Sequence, residues 1–385
     1  MKTLIYICLL ATLLSCGRFQ GDHAIIEYQS MDNELGQELQ RILDSLLLEK
    51  KGTGISASVI LPDNEIWSGT CGVSSGDSLL TTGMLFGIGS VTKNFTAALT
   101  LKLVEEGKLS LEDPVKKWLP GFPNIDNSIT VSQLLNHTSG VGGFFNNEEI
   151  WTDLLRDKAR TWTPEEVLGY VGEPYFKPGE GCHYVNTNYI LLGLIILKAT
   201  GVQKISTLYR EILWDPLGLD NTYLDIEEKM PDRLAHAYSD IYNKKFGSGN
   251  PGVIEDVSNY PRTAHNSIVW TAGGIYSTPT DLAKWTDALF SGLVLEQSSM
   301  DEMLNFIPVP DDDGHGMGIF SYSPGYTCDR KSIGHSGQNT GYMTEMIYLK
   351  EDDITLVFSI NNQDYNLFSS IAGPIIKAVL EYQKN

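Results

Sequence analysis

Two strand pairs stand at opposite ends of this chain, and nearly everything between them reads as helix and loop. Residues 55–61 and 65–73, parted by Pro62-Asp63-Asn64, carry a hairpin signature. Residues 342–349 and 354–360 form a second pair, turned by Lys350-Glu351-Asp352-Asp353. The simplest packing joins the two ends of the chain into one antiparallel sheet. A helix over 32–50, with Leu35, Leu39, Ile42, Leu43, Leu46 and Leu47 at helical spacing, and a final helix over 369–382 flank it. The middle of the chain shows helical stretches at 131–136, 164–172, 188–200 and 280–291, and a surface loop by composition at 242–252. The predicted class is α+β. An α/β lobe is drawn from 32–85 and 270–385, a mainly helical lobe is inserted over 86–269, and a cleft lies between them.

At 385 residues, with 42% apolar and 20% charged residues, the chain has material for a substantial core. Its formal charge of −20 argues against nucleic acid as a partner, because phosphates would be repelled, and against an electrostatic grip on anionic lipid. The acidity itself reads as a solubility feature. Lys2 followed by the apolar run 4–14 is too short to span a bilayer and suits an export signal over 1–15. The run ends in Leu13-Leu14-Ser15-Cys16-Gly17, which resembles a lipobox; lipidation at Cys16, a tether over 16–31 and a folded domain over 32–385 are expected. Membrane contact is then confined to that lipid, in the bacterial cell envelope. Beyond the signal, Cys71, Cys182 and Cys328 are odd in number, so at least one is outside any intrachain disulfide. Neither Cys-x-x-Cys nor His-Glu-x-x-His is present, which leaves a zinc site without support.

Chemistry concentrates in four clusters. Ser90 and Lys93 stand three residues apart, behind Gly87 and Gly89 and ahead of an apolar helical face, Phe95 to Val104, that ends at Gly107. In a helix the two would share a face, with Ser90 in the first turn where free N–H groups favour negative charge. An amine beside a hydroxyl in that setting is an activated nucleophile. Tyr184 and Asn186 are two apart in an extended stretch and so face one side. Gly334-His335-Ser336-Gly337-Gln338 reads as a polar turn just before a strand, and Leu134 to Val141 reads as a helix end entering a loop.

In this order and spacing the clusters resemble the penicillin-recognising serine hydrolases: class C β-lactamases, DD-peptidases and related esterases. Ser90-Val91-Thr92-Lys93 is similar to their S-x-x-K, Tyr184-Val185-Asn186 to their Y-x-N, and His335-Ser336-Gly337 to their K-T-G or H-x-G. Thr271-Ala272-Gly273-Gly274 and the Asn136-His137-Thr138-Ser139-Gly140 loop are also typical. The resemblance implies the β-lactamase/DD-peptidase fold and an acyl-enzyme on Ser90. Lys93 would take part in proton removal and Tyr184 would relay protons. Asn186 would orient Lys93 and bond the substrate. His335 would stand at the family's cation position, polarising Tyr184 or holding a carboxylate. The N–H groups of Ser90 and Gln338 would form an oxyanion hole, and Gly337 would permit close approach of substrate. No metal or organic cofactor is implied.

A histidine where class C β-lactamases carry lysine points away from efficient β-lactam hydrolysis. The expected activity is D-alanyl-D-alanine carboxypeptidase-like, on peptidoglycan stem peptides. A β-lactamase or small-molecule esterase is the alternative, and a non-turnover penicillin-binding sensor is the alternative of another class. His137 is read as bracing its loop, His183 as facing away from Tyr184, and Asp311-Asp312-Asp313-Gly314-His315 as a solvated loop. Phe144, Phe145 and Trp151 are read equally as cleft or core. The oligomeric state has no signature.

Overall fold

The computed structural model describes residues 26–242, 252–309 and 312–384. The expected export signal and Cys16, with most of the 242–252 loop, lie outside them.

Helix α1 (Glu34–Lys50) starts where the Asn33 side chain accepts a hydrogen bond from the Gly36 N–H, and ends at Lys51 in the left-handed region. Its Leu35, Leu39, Leu43 and Leu46 are buried. The next two strands, β1 (Gly54–Ile60) and β2 (Glu65–Ser75), pair antiparallel. At the other end of the chain come β3 (Ile307–Val309), β4 (Asp312–His315), β5 (Phe320–Tyr322), β6 (Ser332–Asn339), β7 (Tyr342–Leu349) and β8 (Ile354–Ile360). The two ends meet where β8 pairs with β1, Phe358 opposite Ala57. From that seam the sheet runs β2-β1-β8-β7-β6-β5-β4-β3. All these pairs are antiparallel. One departure from the expected pattern lies at the outer edge, where Gln29–Ser30, inside the expected tether, pairs in parallel with β2.

Alternation along each strand sorts side chains onto two faces. Ile55, Ala57, Val59, Ile347, Leu356, Phe358 and Ile360 join one apolar cluster with α1 and with the last helix, which runs Tyr365–Tyr382 and contributes Leu367, Ile371, Ile375 and Val379. That last helix starts earlier than its apolar pattern suggests, because the Asp364 side chain caps the N–H groups of Asn366 and Leu367. The opposite face of the sheet continues into the larger cluster that forms the interior of the helical part. Within it lie α2 (Thr92–Glu105), α3 (Thr187–Thr200) and α4 (Thr263–Gly273). Helix α5 (Pro279–Phe290) contributes Leu282, Trp285 and Leu289 to the same interior.

The segment expected as a polar turn, Gly334 to Gln338, is instead the middle of β6, hydrogen-bonded to β7 in continuous register from Ser332 opposite Leu349 to Asn339 opposite Tyr342. Strand β5 pairs with β6 only as far as Gly334. Among the described residues, His335–Asn339 therefore has one strand edge without a β partner.

Candidate active site

Ser90 sits in a single 3-10 turn, Gly89–Val91, that runs directly into α2. The α-helix begins two residues after Ser90, so Lys93, not Ser90, occupies its first turn. The three-residue spacing still brings the pair together, with Lys93 Nζ 3.0 Å from Ser90 Oγ. Lys93 is 0% exposed. Its other two polar contacts are Asn186 Oδ1 and the Ala272 carbonyl, each at 2.7 Å. Asn186 is the residue that precedes α3. Ala272 stands in the last turn of α4, where carbonyls have no partner within the helix. Burial pulls the Lys93 pKa well below the ordinary lysine value. The neutral amine has two N–H groups and one lone pair. The two carbonyl oxygens can only accept, so they take the N–H groups and leave the lone pair facing Ser90 Oγ. That is the geometry of a base.

Tyr184 covers the amine from one side, its ring centre 4.8 Å from Lys93 Nζ. Its hydroxyl is buried beside Ser90 and makes no hydrogen bond of ordinary geometry. Burial pushes the phenol pKa up, and the nearby Ser90 hydroxyl offsets part of that rise, so Tyr184 stays protonated. His137 lies against Tyr184, ring centres 4.4 Å apart, in the left-handed backbone region (φ 63°). Its Nδ1 accepts from the Val185 N–H at 3.3 Å and from Asn188 at 2.9 Å, and its carbonyl accepts from the His183 N–H at 2.9 Å. His137 thus braces the segment that carries Tyr184, as well as its own loop. His183 is exposed and lies against Tyr175.

His335 enters from β6. Its Nδ1 is 2.6 Å from the Ser336 carbonyl, which can only accept, so Nδ1 carries a proton and Nε2 is the acceptor of the neutral ring. Nε2 is buried and makes no hydrogen bond. Burial is the main cause of a His335 pKa pushed down to about 3. The position expected to hold a cation therefore holds a neutral imidazole. Around it β6 meets the Ser90 turn backbone to backbone. A Cβ on Gly337 would lie 1.9 Å from the Ile88 carbonyl oxygen and 3.0 Å from Ser90 N, and a Cβ on Gly89 (φ +53°) would lie 2.4 Å from Gln338 N. No side chain fits at either place. The Ser90 and Gln338 backbones are in this way held at one end of the cleft.

Ser90, Tyr184, His335 and Gln338 line a cavity of about 440 Å³, and Asn186 lines a smaller one of about 150 Å³ that shares Tyr184. Five residues of the larger cavity were not foreseen, His315, Phe320, Met343, Tyr365 and Phe368. His315 belongs to β4, 6% exposed, with its Nδ1 3.5 Å from Cys182 Sγ and its ring 6.2 Å from that of Tyr184. This corrects the reading of the segment as a solvated loop over 312–315, which is strand β4. Phe320 lies against His335, ring centres 4.3 Å apart. Phe144 and Phe145 line the smaller cavity, and Trp151 stacks behind Phe145. Among the described residues, no group of three His, Cys, Asp or Glu side chains could hold a metal ion.

Comparison with known proteins places these features in a family. The sequence pattern of the family described as Beta-lactamase matches residues 39–380. Penicillin-binding protein 4* of Bacillus subtilis is 31% identical over 296 residues, covering 74% of this chain and 62% of the relative, so the match spans under two thirds of that protein. Among solved structures, the D-amino acid amidase from Ochrobactrum anthropi SV3 superposes with a TM-score of 0.78 at 27% identity, over 91% of this chain and all of the other. A D-stereospecific amidohydrolase from a Streptomyces species gives 0.74 at 28%, over 89% and 98%. With a family match across nearly the whole folded part, on the β-lactamase/DD-peptidase fold, the chain belongs to the beta-lactamase family and is a serine hydrolase.

Proposed function

We propose that the enzyme hydrolyses amide bonds on the carboxyl side of a D-residue, through an ester on Ser90, with D-residue peptides and amides as its substrate class. The observation that carries this reading is the fully buried Lys93, whose lone pair is left for Ser90 by two carbonyl acceptors. In the first step Ser90 Oγ attacks the acyl carbon and its proton passes to Lys93 Nζ. The carbonyl oxygen gains charge against the N–H groups of Ser90 and Gln338. The C–N bond then breaks, the Tyr184 hydroxyl gives its proton to the leaving nitrogen, and Lys93 returns the proton to Tyr184. Water repeats the sequence on the ester. The unpaired edge His335–Asn339 offers main-chain hydrogen bonds to an extended substrate.

Relatives named for binding penicillin and structural neighbours named for D-stereospecific amide hydrolysis support the D-residue preference. Release of a terminal D-alanine, the carboxypeptidase reaction, is one form of this chemistry; removal of an amide is another. The N-terminal run 4–16 supports a cell-envelope location with a lipid on Cys16, and Cys16→Ser should move the protein to the soluble fraction.

The test combines an active-site label with turnover. Wild type should form a covalent adduct with a fluorophosphonate or a fluorescent penicillin, seen by intact mass, and should cleave D-alanyl peptides. Ser90→Ala should lose both, with activity down by roughly 10⁴-fold or more. A persistent penicillin adduct without hydrolysis of any peptide would instead favour the sensor reading. Turnover of β-lactams or aryl esters alone would favour the β-lactamase or esterase reading.

A further inference from the structure

The inference concerns the leaving group, and it rests on the acyl-serine reading above. Neither cavity beside Ser90 is lined by an Asp, Glu, Lys or Arg among the described residues. The walls are aromatic, amide, hydroxyl and imidazole groups: Phe320, Tyr365, His315 and His335 in the larger cavity, Asn146 and His183 in the smaller. The nearest cation by sequence, Lys93, is sealed behind Ser90 with its N–H groups already given to Asn186 and Ala272. A substrate carboxylate brought into this space would lose its hydration and find imidazoles but no permanently charged partner, which is unfavourable.

Two buried polar atoms in this space make no hydrogen bond of ordinary geometry within the protein. One is the Tyr184 hydroxyl, which lies beside Ser90; the other is His335 Nε2, the acceptor of a neutral ring whose proton the Ser336 carbonyl holds at Nδ1. The rings lie on one wall, with centres 6.1 Å apart. A leaving nitrogen must take a proton from Tyr184. If that nitrogen bears an N–H of its own, the N–H can fill the vacant acceptor on His335. A tertiary amide nitrogen, such as that of a fused β-lactam ring, has none, and leaves Nε2 buried and unsatisfied.

We propose that the cleft selects amides whose leaving group is uncharged and whose scissile nitrogen carries hydrogen, so that carboxamides and amide-capped peptides are preferred over peptides with a free C-terminal carboxylate and over β-lactams. His335 is the specificity-determining residue: its bare Nε2 favours N–H and repels carboxylate oxygen.

The experiment compares matched substrates on the full-length enzyme. N-acetyl-D-alanyl-D-alaninamide is set against N-acetyl-D-alanyl-D-alanine, which differs by the carboxylate, and against the same amide methylated on its scissile nitrogen. Wild type should favour the unmethylated amide by at least tenfold in kcat/KM over each of the others. His335→Lys, which restores a cation, should shrink or reverse the carboxylate penalty. The wild-type ratios decide even if that variant folds poorly. Equal or faster cleavage of the free acid by wild type would overturn the inference. To separate it from the D-amide reading, the same contrast is run with acetyl esters of glycolamide and of glycolic acid. If the D-peptides are untouched but the glycolamide ester is favoured tenfold, the D-amide reading falls and the leaving-group rule stands. If the glycolate ester is cleaved as fast, the rule falls.

Discussion

On the α1 side of the central sheet, nearly every inward side chain is hydrocarbon, and the two flanking helices answer it with Leu39, Leu43, Ile371 and Ile375, all 0% exposed. On the other side the same strands place Ser58, Thr344, Ser359 and His335 inward. Most of these hydroxyls are matched within the sheet: Ser58 Oγ donates to the Trp67 carbonyl at 2.9 Å, and Thr344 and Ser359 bond each other at 2.8 Å. Toward the cleft the matching stops. The Tyr184 hydroxyl and His335 Nε2 are left unsatisfied, and an amine is buried without a counter-charge. One face maximises burial and holds the fold; the other keeps polar atoms in low dielectric that only a substrate can satisfy. If that division is right, substitutions on one face should alter stability alone, and substitutions on the other should move activity and stability in opposite directions.

The sharpest break in the comparison is Lys93→Met. Removing the base should lower the acylation rate by about 10²–10⁴-fold. The same change should raise stability, since the buried amine prefers water. The sign follows from linkage. The Lys93 pKa is depressed in the fold, so near neutral pH the unfolded chain binds the extra proton, and wild-type stability rises with pH until about 10.4, the free lysine value. Lys93→Met removes that slope. Denaturant midpoints at pH 7 and pH 10 check it: the variant should be the more stable at pH 7, with the gap closing by pH 10. A variant that is both inactive and less stable at pH 7 would contradict the division.

Next in size is a substitution on the hydrocarbon face. Leu39→Ala leaves a void between α1 and the sheet and should cost roughly 2–5 kcal/mol, depending on how far α1 relaxes. Activity per folded molecule should stay at the wild-type level, read by titrating active sites with the fluorophosphonate before the assay.

The same division explains what could be read without coordinates. The hydrocarbon face announces itself by period: leucines at helical spacing in α1 and branched residues in β1, β7 and β8 describe local geometry, and the observed spans agree to within a few residues. Ser90, Lys93, Tyr184 and Asn186 were legible as an ordered set, and the structure brings them together. Strand β6 was not. Its Gly334-His335-Ser336-Gly337-Gln338 has turn composition, and only pairing along β7 makes it a strand. His315 was missed for a related reason. It follows three aspartates and a glycine, and only its cross-strand pairings with Ile307 and Phe320 make it part of a strand. The charge of His335 was beyond sequence altogether, because it depends on how completely the fold buries the ring.

The smallest effect tests an ionisable exception to the hydrocarbon face. Glu345 lies on β7 opposite Phe358 and is 3% exposed. Its carboxyl accepts from the Tyr322 hydroxyl at 2.5 Å and from that of Tyr326 at 3.4 Å, yet burial dominates and pushes its pKa up to about 7. Raised above the unfolded value near 4.3, the group holds its proton in the fold when the unfolded chain has released it. Its contribution to stability is complete below about pH 4.3 and is lost as pH rises to about 7. Glu345→Gln keeps an acceptor for Tyr322 and removes the titration. The variant should match wild type near pH 4.5 and exceed it at pH 8 by up to about 3 kcal/mol, from the size of the shift. Because Glu345 sits on the face that holds the fold, the gain should leave kcat/KM untouched. A pH-independent difference, or a change in kcat/KM per active site, would show that the two faces are coupled through β7.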